Sequence, residues 1–375
     1  MLNHNLRALL CGRSFRGTCI LVEWKVEEIN RMKVYFYHTQ DIKRIVSEWE
    51  QGVFPSHFLY GALQLKDHGI DVVWHDQKHT YKRLRDTLVA TWKVLTCRKS
   101  YDVLYATHTY GIEPIVLLRA LGLYRRPIVV WHHQPIVKAN SFLREALARL
   151  FYKGLDHMIF FSEKLIKDSL LSKKADSQRM SVVRWGADLD YYCNLQPDEL
   201  QPSTFISTGK ELRDYETLLK AFQETGLPLT LFVEKKRQAY FESLHPSANV
   251  DLRYGDRPMP HDIAKLVAQS KCVCICCQPS NYTVGLTTVV EALALGLPIL
   301  CTHNPQMPMD IEAAGCGFWI DPKDVEGWKE KLLYIANHPG EAEEMGRRGR
   351  LLAEQSYNVK QCSKEVVSII RNYEA

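Results

Sequence analysis

Short apolar runs alternate with longer amphipathic stretches along this chain, and the rhythm stops once and then restarts. That alternation is the pattern of βαβ units feeding parallel sheets. In the first half, strands are expected near 33–38, 70–74, 102–106, 127–132, 157–162 and 181–185, with helical stretches such as 56–67 and 142–153 between them. A polar segment from Cys193 to Ser203, with two prolines and no periodicity, reads as a linker. Beyond it, strands are expected near 204–208, 229–233, 250–253, 272–277, 298–301 and 317–320. Helices are expected near 214–224, 261–270, 286–295, 323–336, 340–354 and 359–372. The fold class is therefore α/β: two Rossmann-like domains with parallel sheets, and a cleft between them where ligands meet the carboxyl ends of the strands. The boundaries read as 32–193 for the first domain, 194–203 for the linker and 204–375 for the second, whose last helix is a candidate to pack back on the first.

Length supports the division, since 375 residues exceed one ordinary core of ~150 residues. Lys and Arg number 48 against 43 Asp and Glu, a balance too mild for a dedicated nucleic-acid binder. It suits an enzyme of anionic substrates or a protein resting on an anionic membrane. Of 11 cysteines, Cys272, Cys274 and Cys276 alternate within an apolar run, beside Cys277. Alternate residues share one face of a strand, so these read as small buried hydrophobes rather than as metal ligands, and no metal site is expected. An odd number of thiols without a clear signal peptide points to a reducing cytoplasm. Residues 1–31 are too charged, with Arg13 and Arg16, for a secretory or spanning segment and read as an extension outside the fold. Met32 then opens directly into the first strand.

Two stretches carry chemistry. In the first, a buried strand runs into Pro279-Ser280-Asn281-Tyr282-Thr283-Val284-Gly285-Leu286-Thr287-Thr288, and a helix follows with Glu291 one turn or so inside it. Glycine at a helix N-terminus lets backbone N–H groups approach an anion that the helix dipole favours. Glu291 is placed to accept from ribose hydroxyls; taken alone it reads equally as a solvent-facing residue of a crossover helix. In the second, the strand Thr204–Thr208 stops at Gly209, and Lys210 and Arg213 follow three apart. Such cations clamp a diphosphate, or stand as two solvated residues on a loop.

These stretches together resemble the C-terminal half of GT-B glycosyltransferases of family four, the retaining nucleotide-sugar enzymes. Gly209-Lys210 and Arg213 match the family's phosphate-binding motif with the two cations exchanged in kind. Glu291-Ala292-Leu293-Ala294-Leu295-Gly296-Leu297-Pro298 matches its Glu-Ala-x-Ala-x-Gly-x-Pro block, and Met345-Gly346-Arg347-Arg348-Gly349-Arg350 matches its tail. The likeness runs from about Thr204 to Tyr373. It implies a donor site made of Gly209, Lys210, Arg213, Thr283, Gly285, Leu286, Thr287, Thr288 and Glu291. The family's Glu eight residues before Glu291 is Thr283 here, and Gly285, Thr287 and Thr288 fit a Gly-x-Thr-Thr version in which amides and hydroxyls replace that carboxylate. In the first half the strand 127–131 ends on His132 and His133. The resemblance makes His132 the catalytic candidate, with His57, His108 and His133 on the acceptor side. Trp185-Gly186-Ala187-Asp188 and Ser162-Glu163 read as structural landmarks.

The resemblance implies a transferase: a nucleoside-diphosphate sugar as co-substrate, no cofactor, no required metal, retention at the anomeric carbon, and a saccharide or lipid-linked acceptor in cell-surface polysaccharide or glycolipid synthesis. A non-catalytic GT-B subunit, suggested by Thr283, and a sugar-nucleotide epimerase of the same fold stay open. Lys82, Arg83, Arg85, Lys93, Arg98 and Lys99 are interleaved with Leu84, Leu88, Val89, Trp92 and Leu95. That segment reads either as a helix lying on anionic lipid, at the inner face of the membrane, or as a solvated helix with a buried apolar stripe.

Overall fold

The computed structural model of the protein describes residues 31–77, 80, 82–195, 204–255 and 260–374. The first sheet contains β1 (Lys33–Tyr37), β2 (Asp71–Trp74), β3 (Val103–Ala106), β4 (Ile128–Trp131), β5 (His157–Phe160) and β6 (Met180–Val182), in the order β2-β1-β3-β4-β5-β6. The second contains β7 (Phe205–Ser207), β8 (Leu229–Glu234), β9 (Val250–Gly255), β10 (Cys272–Ile275), β11 (Ile299–Thr302) and β12 (Gly317–Ile320), in the order β12-β11-β10-β7-β8-β9. Every described ladder is parallel. Each sheet reverses its winding once, between β1 and β3 and between β7 and β10, and those crevices are where an open sheet binds ligands.

The strands form where the apolar runs are, because a parallel strand is covered on both faces. β10 shows how completely. Cys272, Cys274 and Cys276 point into the core under the helices Tyr215–Thr225 and Val325–Asn337. Val273, Ile275 and Cys277 point into the other core, which the helix Leu286–Leu295 shares with the first sheet. The alternating thiols are thus buried small hydrophobes on one face, and burial pushes Cys274, Cys276 and Cys301 above the ordinary thiol range.

The stretch 56–67 is not one helix. It forms two 3₁₀ segments, Ser56–Leu59 and Ala62–His68, separated by Tyr60 and Gly61 in the left-handed region. The cause is distant in sequence. Asp188 accepts hydrogen bonds from the Ser56 backbone N–H and hydroxyl, pinning that turn 132 residues away.

Residues Met32–Ala375 form one unit, and the chain's last helix ties it together. At its start, Ala187 N–H donates to Tyr357 O and Val359 N–H to Ala187 O, each at 3.0 Å. The helix Val359–Ile370 then lies against the first half. Arg184 donates to Glu365 at 2.6 Å, Arg371 to His68 O at 2.9 Å, and Tyr373 to Asp156 O at 3.0 Å. Of the segment 194–203 read as a linker, 196–203 lie outside the described residues, as does the extension 1–31 apart from Arg31.

Gly186 makes the crossing of Tyr357 possible, because a Cβ there would run into the Tyr357 carbonyl. Gly186→Ala is expected to lower stability by roughly 2–3 kcal/mol through overpacking against backbone. Calorimetry or urea unfolding measures this; an unchanged midpoint would mean the crossing has slack that the structure does not show.

Candidate functional site

The carboxyl ends of β7 and β10 are laced together. Asp214 N–H donates to Cys276 O at 3.0 Å, Gln278 N–H to Leu212 O at 2.8 Å, and Arg213 bridges Cys277. The turn after β7 and the loop after β10 therefore lie side by side, as the diphosphate-clamp reading requires.

Gly285 is the pivot of the second loop. Its φ of 89° is left-handed, and a Cβ would press within 2.9 Å of Ile275 Cγ2, so only glycine fits without strain. It stands at the N-cap of the helix Leu286–Leu295 with no side-chain cap. Leu286 N–H turns back to Thr283 O and Val289 N–H to Gly285 O, while the amides of Thr287 and Thr288 find no acceptor among the described residues. Two open donors at the positive end of a helix form an anion seat.

Around this seat is a cavity of about 510 Å³. Gly209, Lys210, Arg213, Gly285, Thr287, Thr288 and Glu291 line it, so most of the expected donor residues converge. Thr283 and Leu286 line an adjoining cavity of about 530 Å³. The two cavities share Phe58, Glu211, Gly285 and Thr287, and so form one continuous cleft. Phe232 from β8, with Ile263, Ala264 and Val267 from the helix Pro260–Ala268, gives the first cavity an apolar wall.

The two cations differ in role. Lys210 is 74% exposed and, among the described residues, is held only by a 3.5 Å pair with Glu234, a weak surface interaction it can leave for a phosphate. Arg213 is buried at 7% exposure. Its Nε donates to Thr208 O at 3.0 Å, Nη1 to Glu211 O at 3.2 Å and to Cys277 Sγ at 3.1 Å, and Nη2 to Thr288 Oγ1 at 3.2 Å. The two expected cations thus stand differently: Arg213 holds the walls of the seat together with four of its five N–H donors, and one Nη2–H has no acceptor among the described residues. Gly209, with φ 97°, leaves room for that guanidinium.

Glu291 reaches the first half. His57 Nε2 stands 3.7 Å from Glu291 Oε1, and the same carboxylate raises the pKa of the Tyr192 phenol. Burial and then Glu291 push Tyr192 well above the ordinary phenol range. His57 is completely buried, accepts the Asp188 N–H on Nδ1 at 3.4 Å, and leaves Nε2 without a hydrogen bond. His57, expected on the acceptor side, lines neither cavity and stands beside Glu291 instead.

His108, His132 and His133 do line the second cavity, with Tyr110, Trp131 and Gln40. His108 and His133 stack at 4.1 Å. Burial, then the neighbouring His132, pushes His108 down to about 4, and burial also lowers His132 and His133. The cluster is therefore neutral at pH 7. His132 Nδ1–H donates to Gln134 O at 2.7 Å and Nε2 accepts from the Tyr152 hydroxyl at 3.1 Å, so both its nitrogens are occupied. His133 Nε2–H donates to Thr107 O at 3.0 Å, which leaves Nδ1 as a lone-pair acceptor with no partner among the described residues. The histidine that keeps a free acceptor is therefore His133, one residue beyond the position that strand register favours.

Sequence reasoning missed Tyr192, Phe58, Glu211 and Tyr282. Glu211 accepts the Tyr282 hydroxyl at 2.7 Å and sits where the two cavities meet, a carboxylate near the position left by Thr283. Its adjacency to Lys210 was the one available signal.

Two outcomes test this division of labour. Lys210→Ala is expected to leave stability within about 0.5 kcal/mol, whereas Arg213→Ala costs about 2–4 kcal/mol by orphaning buried acceptors; thermal unfolding separates them. The depressed histidines stabilise the fold fully above the unfolded value near 6.5, and that contribution drains away as pH falls toward 4. Moving from pH 7 to pH 5 should therefore cost up to about 2 kcal/mol for His108, read as a lower melting temperature that His108→Gln relieves.

Comparison with known proteins agrees with the geometry. Residues 209–352 match the family described as glycosyl transferases group 1. The MMP alpha-(1->4)-mannosyltransferase of Mycolicibacterium hassiacum is 22% identical over 302 residues, 72% of this chain and 71% of that protein. A Rickettsia africae glycosyltransferase superposes with a TM-score of 0.65 at 14% identity, covering 92% of this chain and 99% of its own. Anabaena HepE in complex with UDP-glucose superposes with a TM-score of 0.63 at 14% identity, covering 91% and 100%. The fold is that of the GT-B glycosyltransferases, and within it residues 209–352 match the model of the glycosyl transferases group 1 family.

Proposed function

We propose that the protein transfers a sugar from a nucleoside-diphosphate donor to a saccharide or lipid-linked acceptor, with retention and without a required metal. The observation that carries this is the shared cavity: the Gly209-Lys210 turn and the uncapped start of the helix Leu286–Leu295 face one space, which opens into the histidine-lined cavity. The diphosphate takes the Thr287 and Thr288 amides with Lys210, the ribose takes Glu291, and the base takes the apolar wall of Phe232, Ile263 and Val267. The sugar then lies at the junction beside Gly285 and Glu211.

As the bond from the anomeric carbon to the diphosphate breaks, charge grows on the leaving oxygen, and the amides and Lys210 stabilise it in place. The acceptor hydroxyl attacks from the same face, and its proton passes to the departing phosphate. His133 Nδ1 orients a hydroxyl of donor or acceptor; His132, braced by Tyr152, fixes the wall on which it stands. Glucose on UDP in HepE and mannose transfer in the Mycolicibacterium relative make hexose donors the first to try. A lipid-linked acceptor in cell-surface glycan synthesis would bring the enzyme to the cytoplasmic face of a membrane.

Thermal-shift screening with UDP-, GDP-, ADP- and dTDP-sugars should single out one donor, since a ligand for the folded state raises its melting temperature. With that donor, nucleoside diphosphate should be released at a rate EDTA leaves unchanged. Glu291→Ala should lower the rate at least about tenfold, mostly through donor affinity. Binding without any turnover, across acceptors, would favour the non-catalytic subunit, and a new free sugar nucleotide would favour the epimerase.

A further inference from the structure

The two readings of the basic, apolar segment 82–99 make opposite demands on the helix Arg83–Leu95. A solvated helix buries its apolar stripe. Here the buried residues are Asp86, Ala90 and Val94, while Leu84, Leu88, Trp92 and Leu95 are 74%, 59%, 69% and 50% exposed. Spacings of four, four and three put these side chains on one face. A helix of a water-soluble layer turns that face inward; this one turns it out.

The apolar surface continues beyond that helix. The helix Arg83–Leu95 packs on the helix Glu113–Ala120, which packs on the helix Phe142–Lys153. The turn after the middle helix exposes Leu121 and Leu123, and the third helix buries no residue and exposes Phe142 at 92%, with Leu143 and Leu147.

Charge says what covers this face. From Lys82 to Lys153 there are 13 Lys and Arg against 4 Asp and Glu, while the whole chain has 48 against 43, so the rest of the chain is net acidic. Lys82, Arg85, Arg98, Lys99, Arg125 and Arg144 are exposed and have no ion pair among the described residues. Leucine, phenylalanine and tryptophan surrounded by unpaired cations fit a surface that offers phosphate groups above hydrocarbon. A nucleic acid uses the cations and leaves the leucines in water.

We propose that this three-helix face docks the protein on an anionic bilayer, with Leu84, Leu88, Trp92, Leu95, Phe142 and Leu143 entering the acyl boundary and the cations on the headgroups. The docked face runs into the cleft. Arg83 lies over the ring of Tyr110, 5.2 Å from its centroid, and the loop carrying His132, His133 and Gln134 leads into Phe142. A lipid-linked saccharide thus passes from the bilayer to the histidine-lined cavity without leaving the surface. That last step rests on the transferase reading; docking does not.

The test uses the full chain with phosphatidylglycerol-containing and pure phosphatidylcholine vesicles in a flotation assay. The protein should float with the anionic vesicles and be released by high salt. Leu84→Ser with Leu88→Ser and Trp92→Ser should weaken binding at least about tenfold. Lys82→Glu with Arg85→Glu should weaken it at least about fivefold per cation. Phe142→Ser with Leu143→Ser should act like the first set. All three sets lie on exposed positions and should keep the wild-type melting temperature and its shift by nucleotide. Absence of binding, or binding unchanged in the variants, overturns the proposal. So does a wild-type dimer in light scattering that the leucine variants dissolve, since a second copy then covers the face. Vesicle binding that persists while every nucleotide fails to bind would leave docking in place and remove only the transferase reading.

Discussion

The buried guanidinium of Arg213 organises the second half. Its donors span the turn after β7, the thiol at the end of β10 and the first turn of the helix Leu286–Leu295. Three segments that would otherwise diverge from the crevice are drawn to one point. A buried cation costs desolvation energy, and the carbonyls of Thr208 and Glu211, with the nearby helix N-terminus, make its surroundings asymmetric: acceptors on one side, an anion seat on the other. A diphosphate in that seat would supply the countercharge that the described residues do not pair with this side chain.

Contact between the halves is built on polar groups as much as on apolar ones. Glu291 belongs to the second half, yet its neighbours His57 and Tyr192 belong to the first. The same carboxylate therefore faces both the cavity and the junction. His57 is itself set by Asp188 and Trp185, whose indole donates to His57 O at 3.0 Å. The Trp-Gly-Ala-Asp stretch, legible only as a structural landmark, proves to be the support under that junction.

The central strands were legible because their apolar runs are covered on both faces, a local composition that no distant contact has to supply. The helix expected over 56–67 was not, because Asp188 imposes its own geometry on Ser56 from far along the chain. The donor loop could be read from Gly285 and Glu291, whose residue types are demanded by backbone shape and chemistry. Arg213 could be found but its role could not, since a sequence shows a charge and not its burial. His132 and His133 are adjacent, and only the hydrogen bonds to Gln134, Tyr152 and Thr107 tell which nitrogen is left over. Tyr192 carries no local signal; it is one aromatic beside another at the edge of a polar segment.

The helix Val359–Ile370 packs its buried residues, Val366 and Ile370 among them, into the same core as the first sheet. On the ribosome the first six strands emerge long before that helix does. Their outer layer stays incomplete through the synthesis of everything in between, with Gly61 and Gly186 waiting for Ser363 and Tyr357. The nascent first half is thus unfinished until a segment far along the chain closes over it as a clasp.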